Sequence, residues 1–141
     1  MLNFITNQPK QKNKIKQTER LQAAAELSDR LEFGDWDNEE YAQILEQVAE
    51  AVAQEQDNEI RETLLNGMAN ALSQRDCYRQ LNLEPLAEII SKVEGDCLLH
   101  IIDILGLSRN IIYAQSLKLL LQHSNPEIRE NAAIALREMG D

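Results

Sequence analysis

The stretch Ser124–Gly140 (SNPEIRENAAIALREMG) decides the predicted fold, because it contains a complete helix together with both of its end signals. Asn125 is a typical capping residue, and Pro126 suits the first helical turn, whose backbone N–H groups have no partner within the helix. Aliphatic and small residues then recur at helical spacing, and Gly140 is a typical stop signal. The stretch therefore predicts a helix over residues 126–139.

The start of this helix is repeated earlier in the chain. Asp57–Glu62 (DNEIRE) matches Asn125–Glu130 (NPEIRE), with Glu-Ile-Arg-Glu at the same distance from a capping residue. A weaker copy begins with a cap at Asp96, so the three caps are 39 and 29 residues apart. Helix pairs repeated at such intervals are typical of an α-solenoid.

The chain is helical in pattern from Thr18 onward, and no stretch alternates as a strand does. The other predicted helices are Thr18–Phe33, Asn38–Gln54 (capped by Asp37 or Asn38), Asn58–Ser73, Glu84–Val93, Cys97–Leu105 and Ser108–His123. Gly34, Gly95 and Gly106 are expected at helix ends. Gly67 lies inside a helix, where glycine costs about 1 kcal/mol relative to alanine, and so predicts a close helix contact. We expect one helical domain at 18–141 and a flexible Lys-rich arm at 1–17.

Ser124–Gly140 resembles the second helix of a HEAT repeat in its Asn-Pro-Glu-Ile-Arg start and its Ala-rich interior. Asp57–Leu72 is similar but lacks the proline, and the resemblance covers residues 38–139. It implies an all-α fold, a short right-handed α-solenoid of about three HEAT-like helix pairs plus an N-terminal helix. The second helices of the pairs would line a concave face. The resemblance also implies that Arg61 and Arg129 pair with an acidic residue of a neighbouring helix.

Charge is the strongest compositional feature. The chain has 24 acidic and 14 basic residues, a net charge of −10. From Glu26 to Glu62 there are 13 acidic residues, and Arg30 and Arg61 are the only bases. Such a field repels phosphate backbones and attracts cations, so we expect a basic protein partner and no direct nucleic-acid binding. A surface that merely keeps the domain soluble is the alternative.

The sequence contains no catalytic motif that we recognise. It lacks a phosphate-binding glycine loop, a nucleophile elbow and a zinc-protease motif. Cys97-x-x-His100 fits no zinc spacing, and both residues lie in an apolar helix, so we expect structural roles for them. We therefore predict no enzyme activity, no cofactor and no metal. The two cysteines, the lack of a signal-peptide pattern and the lack of a long apolar run favour a cytoplasmic protein without membrane association.

We predict the partner-binding surface in the acid-rich part of the chain. Its residues are Asp35, Trp36, Asp37, Glu39, Glu46, Glu50, Glu59 and Glu62. The carboxylates would steer a cationic partner, and Trp36 would be an apolar anchor unless it folds back over the first helices. By the HEAT resemblance, Glu59 and Glu62 lie near the concave face. The glutamates of the preceding helix lie on the convex side, so one partner is not expected to reach both sets.

Small acidic helical chains without catalytic motifs resemble, in type, the immunity proteins of bacterial contact-dependent growth inhibition and related toxin systems. This likeness implies an inhibitor that binds and neutralises a basic partner such as a nuclease toxin domain, because nuclease clefts that hold phosphates are basic. A general HEAT-repeat scaffold or adaptor, or a subunit of a HEAT-like enzyme such as a bilin lyase, remains an alternative.

Overall fold

The computed structural model describes residues 14–140, which form helices and connections with no strand. The helices are α1 (Lys14–Phe33), α2 (Asn38–Gln54), α3 (Asn58–Gln74), α4 (Glu84–Glu88), α5 (Gly95–Ser108), α6 (Ala114–Leu120) and α7 (Pro126–Met139). A 3-10 turn, Ile111–Tyr113, leads directly into α6. The all-α fold class is therefore confirmed for the described part of the chain.

Three helices begin at the capping residues that the sequence indicated. Asp37 starts α2 through a capping box: its carboxylate accepts the N–H of Glu40 at 2.9 Å, and the Glu40 side chain accepts the N–H of Asp37 at 3.3 Å. Asp57 and Asn125 cap α3 and α7 with hydrogen bonds of 3.0 and 2.9 Å to backbone N–H groups. These bonds fix the helix starts because the first-turn N–H groups have no partner within the helix.

Helix α1 begins at Lys14, before the predicted start at Thr18. Residues 14–17, which were assigned to the arm 1–17, are therefore helical, and residues 1–13 lie outside the described residues. In the added turn, Gln17 donates a hydrogen bond to the carboxylate of Asp57. This contact joins the added turn to the residue that caps α3.

The predicted boundaries around residues 84–97 are wrong. Helix α4 ends at Glu88 instead of Val93. Helix α5 starts at Gly95 with Glu94 in the cap position, so Asp96 lies inside the first turn and is not a cap. Gly95 has a φ of 61°, a left-handed conformation that glycine adopts without steric cost. The chain therefore turns into the helix before it reaches Asp96.

Two glycines lie inside helices where a neighbouring helix passes closely. A Cβ at Gly67 would lie 2.4 Å from Oγ of Ser28 in α1, and a Cβ at Gly106 would lie 2.8 Å from Cβ of Ala135 in α7. The close contact predicted for Gly67 is confirmed. The helix end predicted at Gly106 is wrong, because α5 continues to Ser108 and the glycine instead permits α5 and α7 to approach.

The predicted helix Ser108–His123 is shorter and begins later. Arg109 has a φ of 55° and ends α5. The side chain of Asn110 then accepts the N–H of Ile112 at 3.2 Å and starts the 3-10 turn, and helix α6 ends at Leu120. A single left-handed residue is a local backbone state that hydrophobic periodicity does not encode.

The helices α1, α3, α5 and α7 form a row in which each contacts the next. Helix α2 packs against α3 and α4, and α6 packs against α7. All seven helices contribute to one buried core, which includes Leu27, Tyr41, Leu64, Leu98 and Leu136. Helices α1 and α7 are therefore the two ends of the row.

The repeated arginines occupy equivalent positions in the structure. Nη2 of Arg61 donates to the carbonyl of Glu55, six residues earlier and just past the end of α2. Nη1 of Arg129 donates to the carbonyls of His123 and Ser124, at 2.7 and 3.1 Å, past the end of α6. The expected pairing with an acidic residue is wrong, because neither arginine forms an ion pair among residues 14–140. Each instead binds carbonyls near the end of the preceding helix, where internal donors are lacking.

Candidate functional site

The predicted partner-binding residues lie at three separate places. Asp35, Trp36 and Asp37 form the α1–α2 turn, Glu39, Glu46 and Glu50 lie on α2, and Glu59 and Glu62 lie in the first turns of α3. The pocket that contains Glu46 and Glu50 shares no lining residue with the pocket that contains Glu59 and Glu62. The two sets of glutamates therefore line different pockets.

Trp36 folds back onto the end of α1. Its indole Nε1 donates to the carbonyl of Arg30 at 2.7 Å, and the Arg30 guanidinium lies 5.3 Å from the centroid of the indole ring. Gly34 leaves room for this contact, since a Cβ there would lie 2.8 Å from Nε1 of Trp36. The next acid, Asp37, is engaged as the cap of α2, and its hydrogen bonds with Glu40 lower the pKa of its carboxyl. The turn is thus held mainly by internal contacts.

Arg79, from the connection after α3, binds the carboxylates on α2. Its Nη1 and Nη2 bind the two carboxylate oxygens of Glu46 at 2.7 and 3.0 Å, and its Nε lies 3.7 Å from the carboxylate of Glu39. Glu46 also accepts the backbone N–H of Asn82 at 2.7 Å. The hydrogen bonds with Arg79 lower the pKa of Glu46, and they raise the pKa of Arg79. An internal cation therefore compensates the charge of Glu46, whereas Glu50 on the same helix is exposed.

Glu59 and Glu62 line a groove of about 650 Å³ that crosses α1, α3 and α5. Asp29 of α1 and Asp96 of α5 line the same groove, so four acidic residues from three helices border it. The rest of the lining is small or polar: Ala25, Ser28, Thr63, Asn66 and His100. No lysine or arginine lines the groove. The groove can therefore accept a cationic side chain from a partner.

A close helix contact holds the groove in shape. Ser28 Oγ donates to the carbonyl of Thr63 at 2.6 Å, and the same Ser28 faces the missing side chain of Gly67. Helices α1 and α3 are thus in close contact beside the groove. The contact sets the spacing of the helix backbones that carry Asp29 and Glu62.

The predicted site did not include Asp29 and Asp96. Asp29 lies early in the acid-rich segment, and Asp96 was assigned to a helix cap. Both enter the groove because α1 and α5 flank α3, although α1 and α3 are separated along the chain by α2. The sequence offered no local signal for either residue, because these contacts join helices that are not consecutive along the chain.

The acidic side of the row continues beyond the groove toward α7. Asp103 follows Asp96 by two helical turns on α5, and therefore lies on the same side of the helix. Desolvation raises the pKa of Asp103, and the charge of His100 opposes this shift. Desolvation also raises the pKa of Glu138 on α7, and the charge of Asp103 adds to this shift. The charge of Asp103 on α5 therefore acts on the carboxyl of Glu138 on α7.

The cysteines show no sign of activation. A pocket of about 360 Å³ beside the α3–α4 connection contains Cys77, exposed Tyr78 and Arg79. Burial raises the pKa of Cys77 to about 11, so its thiol is protonated at neutral pH and is a weak nucleophile. Cys97 is buried, and its Sγ lies 3.5 Å from Oδ1 of Asn58. This contact supports the structural role expected for Cys97.

Within residues 14–140, no group of three or more His, Cys, Asp or Glu side chains is arranged to hold a metal ion. None of the helices in that range combines the length and the apolar character needed to cross a bilayer. Comparisons with protein-family models, with curated proteins and with solved structures found no match for this chain. The function is therefore argued from the surfaces described above.

Proposed function

We propose that this protein is a non-catalytic binding module that holds a basic protein partner in the groove across α1, α3 and α5. The observation that carries this proposal is the lining of the groove, which has four carboxylates and no lysine or arginine. Like charges around one groove repel one another, and a cation placed among them lowers this repulsion. A lysine or arginine side chain of a partner is the occupant that fits best.

The partner class that we propose is a nuclease toxin domain, and the protein would act as its immunity protein or inhibitor. A nuclease cleft is basic because it binds phosphates, so an acidic groove is complementary to it. The net charge of −10 would accelerate the encounter with such a partner by long-range steering. The same charge disfavours direct binding of nucleic acid to this chain.

We further propose that the helices form a short right-handed α-solenoid of HEAT-like pairs. The contact order α1–α3–α5–α7 supports this arrangement. The matching bonds of Arg61 and Arg129 to backbone carbonyls six residues earlier support it independently. In such an arrangement the groove would lie on the face formed by the second helices, which is the concave side in HEAT repeats.

A matched pair of charge reversals tests the groove. The test variant carries Glu59→Lys and Glu62→Lys, and the control carries Glu127→Lys and Glu130→Lys at the same positions of the repeated motif in α7. Each tagged protein is used to capture partners from native cells at low salt, and the captured proteins are identified by mass spectrometry. A basic protein held by the wild type and the control, but lost from the test variant, supports the proposal. Equal capture by all three proteins would overturn it.

The purified complex then allows a kinetic test. We expect the groove reversal to slow association about tenfold or more and to flatten its salt dependence, because steering charges act mainly on the on-rate. Glu50→Lys tests the α2 surface without breaking the internal bonds of Glu46, and a loss confined to that variant would move the site there. If the partner is a nuclease, an equimolar amount of wild-type protein should abolish its activity. Many partners of mixed charge, all insensitive to the groove reversal, would favour a general scaffold.

A further inference from the structure

The residue that ends helix α5 is an arginine in a left-handed conformation. Arg109 has a φ of 55° and a ψ of 23°, and its N–H donates to the carbonyl of Gly106 at 3.1 Å. Glycine is the usual residue at such a helix end, because the left-handed conformation brings a Cβ too close to the following carbonyl oxygen. Arg109 therefore has a backbone conformation that its own side chain disfavours, and residues of this kind cluster at functional sites.

Arg109 lines the pocket of about 360 Å³ beside the α3–α4 connection. Among residues 14–140 its guanidinium forms no ion pair, although its charge partly offsets the rise that desolvation causes in the pKa of Glu138. Arg79, the other arginine of the pocket, is bound to Glu46 through two hydrogen bonds. Arg109 is therefore the arginine of this pocket that can bind an anion from solution.

The rest of the lining provides apolar side chains and an aromatic ring. Leu72 and Leu107 line the pocket, and so does Tyr78, which is 53% exposed. An exposed tyrosine ring can stack on a flat group of a ligand. Asp76 also lines the pocket and disfavours a second negative charge there. The volume is within the range of about 300–1,000 Å³ that small-molecule pockets span.

The non-helical connection after α3 forms one wall of the pocket and is held from two sides. Arg79 of this connection binds Glu46 of α2, and Nδ2 of Asn110 donates to the carbonyl of Leu81 at 3.2 Å. Asn110 directly follows Arg109, so the left-handed turn positions both side chains beside the connection. The wall is thus formed before a ligand binds, which lowers the entropy lost on binding.

We propose that this pocket binds a small aromatic carboxylate. The guanidinium of Arg109 binds the carboxylate, whose two oxygens match its fork of N–H donors, and the ring of Tyr78 stacks on the aromatic group. A carboxylate carries a single charge, whereas a phosphate monoester carries about two at neutral pH and is repelled more strongly by Asp76. The pocket shares no lining residue with the acidic groove, so this site is independent of the proposed function.

Phenylacetate is the probe, with phenylacetamide as its neutral analogue and phenyl phosphate as its more highly charged analogue. Each is titrated into isotope-labelled protein, and the backbone amide signals are followed by NMR. We expect phenylacetate to shift the amide signals of Tyr78 and Arg109 with a dissociation constant of about 1 mM, as is ordinary for so small a ligand. Both analogues should bind at least about tenfold more weakly. Equal binding of phenylacetamide, tighter binding of phenyl phosphate, or no shift with phenylacetate would each overturn the proposal.

Two substitutions at Arg109 separate the guanidinium from the backbone. Arg109→Gly and Arg109→Ala both remove the guanidinium, but only glycine adopts the left-handed conformation without steric cost. Both variants should bind phenylacetate at least about tenfold more weakly than the wild type. Arg109→Gly should nevertheless unfold at a higher urea concentration than Arg109→Ala, because it removes the disfavoured backbone conformation. A glycine variant that binds as the wild type does, or that is no more stable than the alanine variant, would overturn the proposal.

Two further variants locate the binding. Tyr78→Ser removes the aromatic face and should weaken the binding of phenylacetate severalfold. Glu59→Lys with Glu62→Lys changes the acidic groove and should bind phenylacetate as the wild type does, whatever its effect on a basic protein partner. Unchanged binding by Tyr78→Ser, or a loss of binding in the groove variant, would count against this pocket as the site.

Discussion

Replacing Gly67 with alanine tests the helix contact beside the groove. The new Cβ would lie 2.4 Å from Oγ, 2.7 Å from Cβ and 2.8 Å from Cα of Ser28. The last of these atoms belongs to the backbone, so rotation of the Ser28 side chain cannot relieve the overlap. Helices α1 and α3 must move apart, and the 2.6 Å hydrogen bond from Ser28 to the carbonyl of Thr63 must lengthen.

Gly67→Ala changes the free energy of unfolding through contributions of opposite sign, and their magnitudes can be compared. Alanine is favoured over glycine by about 1 kcal/mol inside a helix. Overpacking costs about 1–3 kcal/mol, and loss of the Ser28 hydrogen bond costs about 0.5–1.5 kcal/mol more. We therefore expect Gly67→Ala to lower the free energy of unfolding by about 1–3 kcal/mol. In urea this corresponds to a midpoint lower by about 1 M.

Urea unfolding followed by circular dichroism provides the measurement. Asn66→Ala, at the exposed neighbouring position of α3, should change the free energy by no more than about 0.5 kcal/mol. Adding Ser28→Gly to Gly67→Ala removes two of the three overlapping atoms, so the double variant should lose less than the sum of the two single changes. A Gly67→Ala protein as stable as the wild type would refute the close contact.

Further predictions concern the core, the repeated arginine and the acidic pair. Leu64→Ala and Leu136→Ala truncate buried side chains, 0% and 8% exposed, and should each lower the free energy of unfolding by about 2–5 kcal/mol in urea; a negligible loss would mean that the site is not core. Arg129→Met removes the bonds to two backbone carbonyls and should cost about 1 kcal/mol in the same assay. Asp103→Asn should lower the pKa of Glu138 measured by NMR, and an unchanged pKa would disprove their coupling. Because both carboxyls have raised pKa values in the folded state, the folded protein retains protons that the unfolded chain has lost. Stability from this pair should therefore fall as the pH rises above the ordinary values of 3.8 and 4.5, and Asp103→Asn should reduce that fall.

The helix starts were predictable where a side chain makes the cap. Asp37, Asp57 and Asn125 each accept a backbone N–H of the first turn, and this short-range chemistry is visible in the sequence. The end of α7 was predictable for a similar reason, since Gly140 has a φ of 83°. Local residue chemistry therefore determined these boundaries.

The boundaries that depend on tertiary contact were not predictable in this way. Gly106 has the same sequence signature as a stop signal, and its role as a contact point becomes visible only when Ala135 of α7 is placed against it. In the extra turn of α1, Gln17 likewise binds Asp57, which is 40 residues away along the chain. In each case the deciding partner is distant along the chain, so no local pattern encodes it.

The run of acids in the sequence does not by itself define a binding surface. In the folded protein some of these side chains are paired with arginines or cap helices, and others are not. From residue 35 to residue 59 there are nine acidic residues and no base. Arg79 nevertheless reaches Glu46 from a later connection, and Arg20 forms a buried ion pair with Glu55 from an earlier helix. Two aspartates of the run cap helices.

An acidic side chain that is paired with an arginine or caps a helix attracts a partner less than one that has only other carboxylates nearby. In the part of the chain that the structure describes, acids from three helices line the groove and no lysine or arginine does. A basic partner should therefore first be sought in this groove and not along the longest acidic run.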